Sequence, residues 1–324
     1  MKYSSKNIER CPVCQSKITE VLYSDIKDRI GSEIKFSVMK CQTCSHAFTS
    51  PLPDEKYYND YYSDSYYSYN IDIQKNNNKL KFKIKRWLYQ ASQTNLIYKL
   101  ISRPIVRQTA IYPTIKRNGK MLDVGCGNGA FLSFMKSIGW KTYGVEISSK
   151  AVEFARNNGH EVFSGNVTDA NYPSDFFDSI TLNNVLEHIA EPSELMKEVY
   201  RILKPSGELI ICVPNFSAYS SILFKQFWAG LLIPEHLQHF NQKSLEKIVN
   251  SVGFENIAVK GIFRKILKNN LQSYLRVDHN GKDLRFIYGK TLVLMLVSFL
   301  LFPLSFTKLG QNLCMFISLT ARKN

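Results

Sequence analysis

The stretch MLDVGCGNGAF, residues 121–131, decides the fold of this chain. An apolar run leads into a turn that contains Gly125 and Gly127, and apolar residues then recur with the period of a helix at Phe131, Leu132, Met135 and Ile138. The pattern predicts a buried strand, a tight glycine turn and the start of a helix. Because glycine has no Cβ, the turn can adopt positive φ and let a ligand lie against the backbone. The N–H groups at the start of the helix would face the same ligand.

An acidic residue follows at the spacing of a ribose-binding carboxylate. The second predicted strand, KTYGVEI at 141–147, carries Glu146, which lies 19 positions beyond Gly127. In open α/β sheets a carboxylate at this place binds the ribose of a nucleoside. The form DVGCGNG followed by VEI resembles the S-adenosylmethionine site of class I methyltransferases, and it lacks the third glycine of the nicotinamide fingerprint. The resemblance covers residues from about 119 to the C-terminus.

The resemblance implies an α/β fold with a Rossmann-like, seven-stranded methyltransferase sheet in the order 3-2-1-4-5-7-6. After the first two strands, further strands are expected at 161–165, 176–184, 208–214, 256–263 and 313–323, the last antiparallel to its neighbours. Helices are expected at 149–158, 194–203 and 242–252, with caps at Ser148 and near Asn241. The region 119–324 is therefore predicted to be one methyltransferase domain.

The same resemblance assigns the cofactor contacts to residues that follow the strands. They are Asp123, Gly125 and Gly127 in the turn, then Glu146, then Asn166 and Val167 beside the adenine, and Asn183 beside the methionine part. Asn166 stands where the family commonly has an acid, and Asp169 is the alternative. The phrase VLEHIAEP, 185–192, is characteristic of the superfamily. Its His188 is interpreted as structural, bonded to local backbone, and a catalytic role is the alternative.

Residues 216–240 interrupt the α/β alternation and are predicted to be an acceptor-side insertion. Their end, WAGLLIPEHLQHF at 228–240, resembles the segment that forms one wall of the acceptor pocket in methyltransferases acting on sugars and glycolipids. His236 and His239 are the candidate catalytic residues, because an imidazole can take the proton of an acceptor hydroxyl near neutral pH. One would be the general base, with His236 slightly favoured, and the other orienting or structural. The alternative is that both only cap or pack.

Two CxxC pairs lie near the N-terminus, Cys11 with Cys14 and Cys41 with Cys44, and 26 residues separate them. Two such knuckles bring four thiolates together in the tetrahedral geometry of a structural zinc site, which leaves no open position for catalysis. We therefore predict a zinc ribbon over residues 1–50 that holds one Zn²⁺. His46 could replace one cysteine as a ligand, but the role of a bystander is favoured.

Residues 51–118 are predicted to form a tyrosine-rich linker followed by a basic helical arm. The arm begins with KLKFKIKRW at 79–87, whose interleaved basic and apolar residues suit a membrane interface or a nucleic-acid backbone. The alternative is an arm packed on the catalytic domain with its lysines in water. The net charge of +15 is concentrated in two segments: residues 75–120 contain twelve Lys or Arg and no acidic residue, and residues 256–324 contain eleven Lys or Arg and two acidic residues. Such asymmetry is typical of a surface that faces phosphate groups.

Residues 264–309 are predicted to be an apolar helical insertion between the last two strands. They include the uncharged run 291–307, which is shorter than the ~20 residues of a membrane-spanning helix. Both ends of the insertion must lie on one side of a membrane if 313–323 joins the sheet. We therefore expect it to lie on an anionic membrane surface without crossing it. Packing on the arm or across a dimer interface is the alternative.

These features predict a cytoplasmic, S-adenosylmethionine-dependent methyltransferase, peripheral at the inner face of the membrane, since nothing at the N-terminus resembles a secretion signal. The expected acceptor is a small molecule or lipid-linked sugar, methylated on a hydroxyl or carbon in polysaccharide biosynthesis. The alternatives are a zinc-ribbon protein that binds nucleic acid or a partner, and an RNA-directed methyltransferase. Nucleic acid is the disfavoured partner, because NNVL at 183–186 stands where enzymes that methylate base amino groups have N/D-P-P-Y/F.

Overall fold

The computed structural model describes residues 3–28, 31–61, 79–94, 112–114, 116, 118–262 and 314–324. The described residues between 3 and 61, here called the ribbon, form an N-terminal unit. Its elements are β1 (Ser5–Lys6), β2 (Thr19–Ile26), β3 (Phe36–Cys41), β4 (Ala47–Ser50), β5 (Leu52–Pro53) and α1 (Glu55–Tyr61). The unit continues beyond residue 50, because β5 pairs with β1 and the fully buried Tyr57 of α1 packs edge-on against Phe36.

The remaining elements form an α/β domain around one sheet. They are α2 (Lys79–Thr94), β6 (Lys120–Val124), α3 (Ala130–Ser137), β7 (Lys141–Glu146), α4 (Ser149–Asn157), β8 (Glu161–Ser164), β9 (Phe177–Asn183), α5 (Pro192–Ile202), β10 (Leu203–Pro214), α6 (Tyr219–Phe224), β11 (Gln238–His239), α7 (Gln242–Ser251), β12 (Phe254–Ile262) and β13 (Phe316–Lys323). The sheet has the strand order β8-β7-β6-β9-β10-β13-β12. Counted from β6 this is 3-2-1-4-5-7-6, with β13 antiparallel to both neighbours, so the predicted fold is confirmed.

The local signals placed most element ends correctly to within a few residues. Ser148 caps α4 by accepting from the N–H of Ala151, and Asn241 caps α7 in a box with Ser244. The fifth strand differs from its prediction, since β10 begins at Leu203 and not at Glu208. The KPSG segment does end α5, but the chain stays beside β9: Leu203 pairs with Phe177 before the register shifts at Glu208.

The ribbon and the α/β domain share one hydrophobic core. Six of the seven residues of β9 are buried, as expected for a central strand covered on both faces. The buried cluster around it also contains Cys11, Cys44 and Phe48 of the ribbon, together with Leu186 and Phe240. Since these side chains lie in one continuous cluster, the ribbon is anchored to the domain by burial of apolar surface.

The backbone of the acceptor-side segment completes the sheet of the ribbon. β11 pairs antiparallel with β4, so a segment near residue 238 joins strands from the first 50 residues. The peptide groups of Leu237 are bonded on both sides: its carbonyl accepts from the N–H of Thr49 at 2.9 Å, and its N–H donates to the carbonyl of Glu187 at 2.8 Å. The Thr49 hydroxyl adds a bond to the carbonyl of His236 at 2.8 Å. We call this set of contacts the ribbon joint.

The basic helix α2 packs on the domain by its C-terminal half. Leu88 and Tyr89 are buried in a cluster with Phe134, and the Tyr89 hydroxyl donates to the carbonyl of Pro113. Phe82, Ile84 and Trp87 of the same helix are 41%, 46% and 54% exposed, although the Phe82 ring also packs edge-on against Phe134. The described part of the arm therefore packs on the domain, and its contact with a membrane stays a prediction. The predicted insertion at 264–309 lies outside the described residues, and among those described we find no helix with the length and apolarity of a membrane span.

The ribbon joint is tested by replacing Thr49 with valine. Thr49 is fully buried, and its hydroxyl donates to the His236 carbonyl and contacts the ring Nε2 of His239 at 2.9 Å. We predict that Thr49→Val lowers the free energy of unfolding by about 2–4 kcal/mol, because two buried polar groups lose a partner. Urea unfolding measures the change. The matched control is Thr142→Val on the half-buried β7, and a Thr49→Val effect no larger than the control would contradict the prediction.

Candidate active site

The glycine turn after β6 has the conformation that its sequence requires. Gly125 and Gly127 have φ values of 68° and 53°, in the left-handed region that glycine tolerates best. The N–H groups of Gly125 and Cys126 donate to the carbonyl of Val145, which fixes the turn against β7. A Cβ on Gly125 would lie 2.5 Å from a methyl group of Val185, whereas a Cβ on Gly127 would meet nothing within 4 Å. The backbone at Gly127 therefore borders open space in which a ligand can lie.

Glu146 is in direct contact with this turn. One carboxylate oxygen accepts from the N–H of Gly127 at 2.9 Å, and the other accepts from the N–H of Ser148 at 3.0 Å. The structure thus brings together two residues that the sequence places 19 positions apart. A carboxylate has about four acceptor positions, so lone pairs remain for the hydroxyl groups of a ribose.

Asp123 lies beneath the turn and is only 3% exposed. Burial raises the pKa of its carboxyl to about 7, although hydrogen bonds from Thr181 and Asn183 act in the opposite direction. The Thr181 hydroxyl donates to Asp123 Oδ1 at 2.6 Å. Because Asn183 is bonded to Asp123, the ends of β6 and β9 are held side by side at the carboxyl edge of the sheet.

The two candidate adenine contacts lie in one short turn after β8. Asn166 and Asp169 are exposed, while Val167 between them is 3% exposed and anchors the turn in the core. The Asn166 amide donates to the Asp169 carboxylate at 3.3 Å, and the N–H of Asp169 donates to the carbonyl of Asn166 at 3.1 Å. The structure therefore places the preferred residue and its alternative at the same point of the sheet edge.

A second group of polar residues lies just beyond the glycine turn. It consists of Glu187, His188 and His236, whose potential ligand atoms all lie within 4.8 Å of one another. We call it the Glu-His-His cluster. The rings of His188 and His236 meet edge to face with centroids 4.8 Å apart. The cluster follows Val185, the residue that packs against Gly125, so it lies on the same edge as the predicted cofactor residues.

Backbone carbonyls fix the tautomer of both histidines in the cluster. His188 Nδ1 lies 2.8 Å from the carbonyl of Glu235, and His236 Nδ1 lies 2.8 Å from the carbonyl of Gly230. A carbonyl oxygen can only accept, so both Nδ1 atoms carry a proton, and in the neutral ring the lone pair is on Nε2. Burial lowers the pKa of His188 to about 4, which keeps that ring neutral at physiological pH. The sequence predicted that His188 bonds to local backbone, but its partner is the carbonyl of Glu235, 47 positions away, and its position beside His236 was not predicted.

Glu187 received no role from the sequence, yet it is the most unusual side chain of the site. It is 1% exposed, and neither carboxylate oxygen has a hydrogen-bond partner among the described residues. Burial raises the pKa of its carboxyl to about 8. An acidic residue directly before His188, after a strand that ends at the predicted cofactor residue Asn183, is the signal that could have indicated it.

The second base candidate, His239, lies in the ribbon joint and not in the cluster. The single proton of the Thr49 hydroxyl goes to the His236 carbonyl, so the Thr49 oxygen must accept from the Nε2–H of His239. Burial and the neighbouring His46 lower the pKa of His239 to about 3. The geometry therefore gives His239 the part of a buried donor that fixes the chain next to His236.

The four predicted zinc ligands are brought together. The sulfur atoms of Cys11 and Cys44 are 3.6 Å apart, as are those of Cys14 and Cys41, and none of the four is in a disulfide. Tetrahedral zinc with bonds of about 2.3 Å places its sulfur ligands about 3.8 Å apart, so the cluster fits the ion. Burial would raise the pKa of Cys41, but backbone N–H groups of Cys44 and Thr43 lower it to about 7. His46 is instead bonded to the Gln238 amide oxygen at 2.9 Å.

Comparison with known proteins shows the family of the chain. A family model for a methyltransferase domain matches residues 91–259. The chain is similar to the ubiquinone biosynthesis O-methyltransferase of Idiomarina loihiensis, 27% identical over 182 residues that cover 50% of this chain and 72% of that protein. It is similar to the protein of the same name from Thiobacillus denitrificans, 31% identical over 112 residues that cover 32% of this chain and 48% of that one.

The chain is also similar to solved structures at low sequence identity. A SAM-dependent methyltransferase from Archaeoglobus fulgidus has a TM-score of 0.46 and 19% identity, and the match covers 73% of this chain and 99% of that one. Haemonchus contortus phosphoethanolamine N-methyltransferase 2, solved with S-adenosyl-L-methionine, has a TM-score of 0.44 and 18% identity. That match covers 64% of this chain and about half, 49%, of the Haemonchus protein.

Proposed function

The chain belongs to the methyltransferase-domain family, and on this premise we propose that it transfers the methyl group of S-adenosylmethionine to a hydroxyl group of a small-molecule acceptor. The observation that carries the choice of a hydroxyl is the Glu-His-His cluster, which lies next to the glycine turn and contains two imidazoles. An imidazole can accept the proton of a hydroxyl group as the methyl group is transferred to its oxygen. The relatives named as O-methyltransferases support the same choice.

The cofactor is proposed to bind along the carboxyl edge of the sheet. Asp123, Gly125 and Gly127 would hold its amino-acid part and Glu146 its ribose, in the arrangement that the Gly127–Glu146 contact prepares. The turn of Asn166 and Val167 would border the adenine. Asn183, bonded to Asp123, would face the methionine part. These assignments follow the order in which the parallel strands end at one edge.

Methyl transfer requires little covalent chemistry from the protein. The sulfonium already activates the methyl group, so the protein must align the acceptor oxygen with the S–CH₃ bond and assist loss of the hydroxyl proton. We assign the activation of the hydroxyl to His236, whose Nε2 carries the lone pair in the neutral ring. His239 orients this segment through Thr49.

The finer identity of the acceptor is proposed from the sequence of residues 228–240. Their resemblance to the acceptor wall of sugar and glycolipid methyltransferases favours a sugar hydroxyl, free or on a nucleotide or lipid carrier. The exposed Phe82, Ile84 and Trp87 of α2, interleaved with Lys83 and Arg86, are suited to an anionic membrane surface on which a lipid-linked sugar would be presented.

The structural zinc ion is a separate part of the proposal. The four thiols have the spacing of a closed tetrahedral site, and their core is continuous with that of the α/β domain. The ion would hold the two knuckles together and so maintain β4, which carries the ribbon joint.

The first prediction from this proposal concerns the cofactor. Glu146→Ala removes the carboxylate that would accept from the ribose, and we expect S-adenosylmethionine binding to weaken by about 1.5–3 kcal/mol. Isothermal calorimetry measures the affinity. Glu153→Ala, at an exposed position of α4, is the matched control and should bind as the wild type does. Unchanged affinity in Glu146→Ala would exclude the assignment.

A second prediction concerns the zinc ion. We expect one zinc per chain in protein dialysed against a chelator that removes ions from nitrogen and oxygen sites, and none after Cys41→Ser, because one serine leaves a thiolate site incomplete. Cys212→Ala, on β10, is the control and should keep the metal. Cofactor binding should survive the loss of zinc, since the glycine turn lies on the main sheet. Equal zinc content in Cys41→Ser and the wild type would contradict the prediction.

A third prediction tests the reaction. Incubation of the protein with methyl-labelled S-adenosylmethionine and pools of sugars, nucleotide sugars and lipid-linked glycans should label one class, which intact-mass analysis identifies. On that acceptor, His236→Ala should lower turnover at saturating substrate by about 10²–10⁴-fold. His239→Ala should act mainly on stability. Turnover at the wild-type level in both variants would place the activating group elsewhere.

A fourth prediction tests the membrane surface. The full-length protein should float with anionic liposomes at low salt and remain soluble at high salt, because each basic residue near the surface contributes about 1 kcal/mol and salt screens it. Charge reversal of the exposed Lys83 and Arg86 should reduce flotation. A protein that stays in the soluble fraction at low salt would rule out the membrane part of the proposal.

A further inference from the structure

We propose that Glu187, His188 and His236 form a binding site for a divalent transition-metal cation, at which the hydroxyl of the methyl acceptor becomes a further ligand. The inference rests on the proposed function for the identity of that last ligand. The protein ligands themselves are argued from the geometry of the cluster alone. The site is distinct from the four-cysteine cluster, which is closed and lies within the ribbon.

Both histidines are held in the tautomer that a metal ligand needs. The carbonyls of Glu235 and Gly230 accept from the Nδ1–H groups of His188 and His236, and this leaves Nε2 of each ring as the coordinating atom. Metal-bound histidines characteristically donate their other N–H to a carbonyl or carboxylate, which orients the ring. The two neighbouring imidazoles, which meet edge to face with centroids 4.8 Å apart, both have this arrangement.

Glu187 supplies the charge that a cation would neutralise. A carboxyl group buried to 1% exposure is costly in either protonation state unless its oxygens are bonded, and neither oxygen has a partner among the described residues. A protonated carboxyl would still need an acceptor for its O–H. A cation held by Glu187 and the two imidazoles would give the buried carboxylate its missing partner, so the unpartnered carboxylate is the independent sign of a ligand at this place.

The separations of the ligand atoms are compatible with coordination after a small adjustment. The three atoms lie within 4.8 Å of one another. Metal–ligand bonds of about 2.1 Å at tetrahedral angles place the ligand atoms about 3.4 Å apart. A small rotation of the side chains within their present rotamers would bring the three atoms to this separation. The backbone is already fixed, since the Glu187 carbonyl accepts from Leu237 N–H in the ribbon joint.

The ligand types select the class of cation. Two nitrogens and one carboxylate oxygen suit Zn²⁺, Mn²⁺ or Fe²⁺, and are a poor match for Mg²⁺ or Ca²⁺, which prefer oxygen ligands. Three protein ligands leave at least one position open, in contrast to the four thiols of the ribbon. An acceptor oxygen can occupy that position, and its hydroxyl proton is then lost more readily.

The step balances without any redox change. The acceptor O–H bond breaks and its proton passes to solvent water, while an oxygen lone pair forms the new O–CH₃ bond. The S–CH₃ bond breaks and its electron pair stays on sulfur, which converts the sulfonium to the neutral thioether S-adenosylhomocysteine. The cation keeps its charge throughout. In this role His236 acts on the hydroxyl as a ligand of the ion.

Direct titration with Mn²⁺ tests the site without knowledge of the acceptor. Mn²⁺ favours nitrogen and oxygen over thiolate ligands, so the ribbon cysteines do not compete for it. The full chain, purified with its ribbon zinc and dialysed against a chelator, is titrated while electron paramagnetic resonance reports free Mn²⁺. We expect one Mn²⁺ site in the wild type, weakened about tenfold or more in Glu187→Gln and in His188→Gln. Glu191→Gln, four residues on and exposed, is the matched control and should bind as the wild type does.

Calorimetry with S-adenosylhomocysteine on the same samples separates the two proposals. Retained cofactor binding in a variant shows that it is folded and that the cofactor site is intact. The metal proposal is overturned if the wild type takes up no Mn²⁺, or if both Glu187→Gln and His188→Gln, folded by this criterion, take it up as the wild type does. Either result leaves the methyltransferase proposal standing. Failure of the wild type to bind S-adenosylhomocysteine would instead count against the proposed function.

Discussion

The doubly bonded backbone of Leu237 is the constraint on which the arrangement of the site depends. Its carbonyl is bonded to the ribbon through Thr49, and its N–H is bonded to Glu187 in the α/β domain. A segment fixed on both edges behaves as a strand between two neighbours, although it comes from a region without regular α/β alternation. The position of His236, directly before Leu237, therefore depends on the ribbon and on the turn after β9 at the same time.

This constraint connects the ribbon to the Glu-His-His cluster. The buried Gln238 adds two hydrogen bonds to the ribbon joint. Its amide oxygen accepts from His46 of the ribbon, and its amide nitrogen donates to the carbonyl of Ile189. The side chains of Thr49 and Gln238 thus join the ribbon to the domain. In each of these hydrogen bonds the donor and the acceptor can be identified. A change in the ribbon would reach the Glu-His-His cluster through backbone displacement, since packed cores shift as units and do not deform freely.

The sequence predicted the parts of the fold that local chemistry determines. The glycine turn, the carboxylate of Glu146 and the caps at Ser148 and Asn241 each need a particular residue type at a particular spacing, and resemblance supplied the strand order. The pairing of β4 with β11 could not be predicted, because it joins strands about 190 positions apart and leaves no periodic signal in either. The burial of Glu187 could not be read from periodicity either, because its backbone partner Leu237 lies about 50 positions away in the chain.

The two histidines at the end of the acceptor-side segment show why residue type alone does not assign a role. His236 and His239 are three positions apart, and both are buried imidazoles. The two histidines differ in the hydrogen-bond partner of one ring nitrogen. A carbonyl opposite Nδ1 leaves His236 with a basic Nε2, whereas a hydroxyl whose only proton is already committed forces His239 to donate from Nε2. The direction of a single hydrogen bond from Thr49 thus assigns the proton of His239 to Nε2, and that bond exists only when the ribbon is folded against the domain.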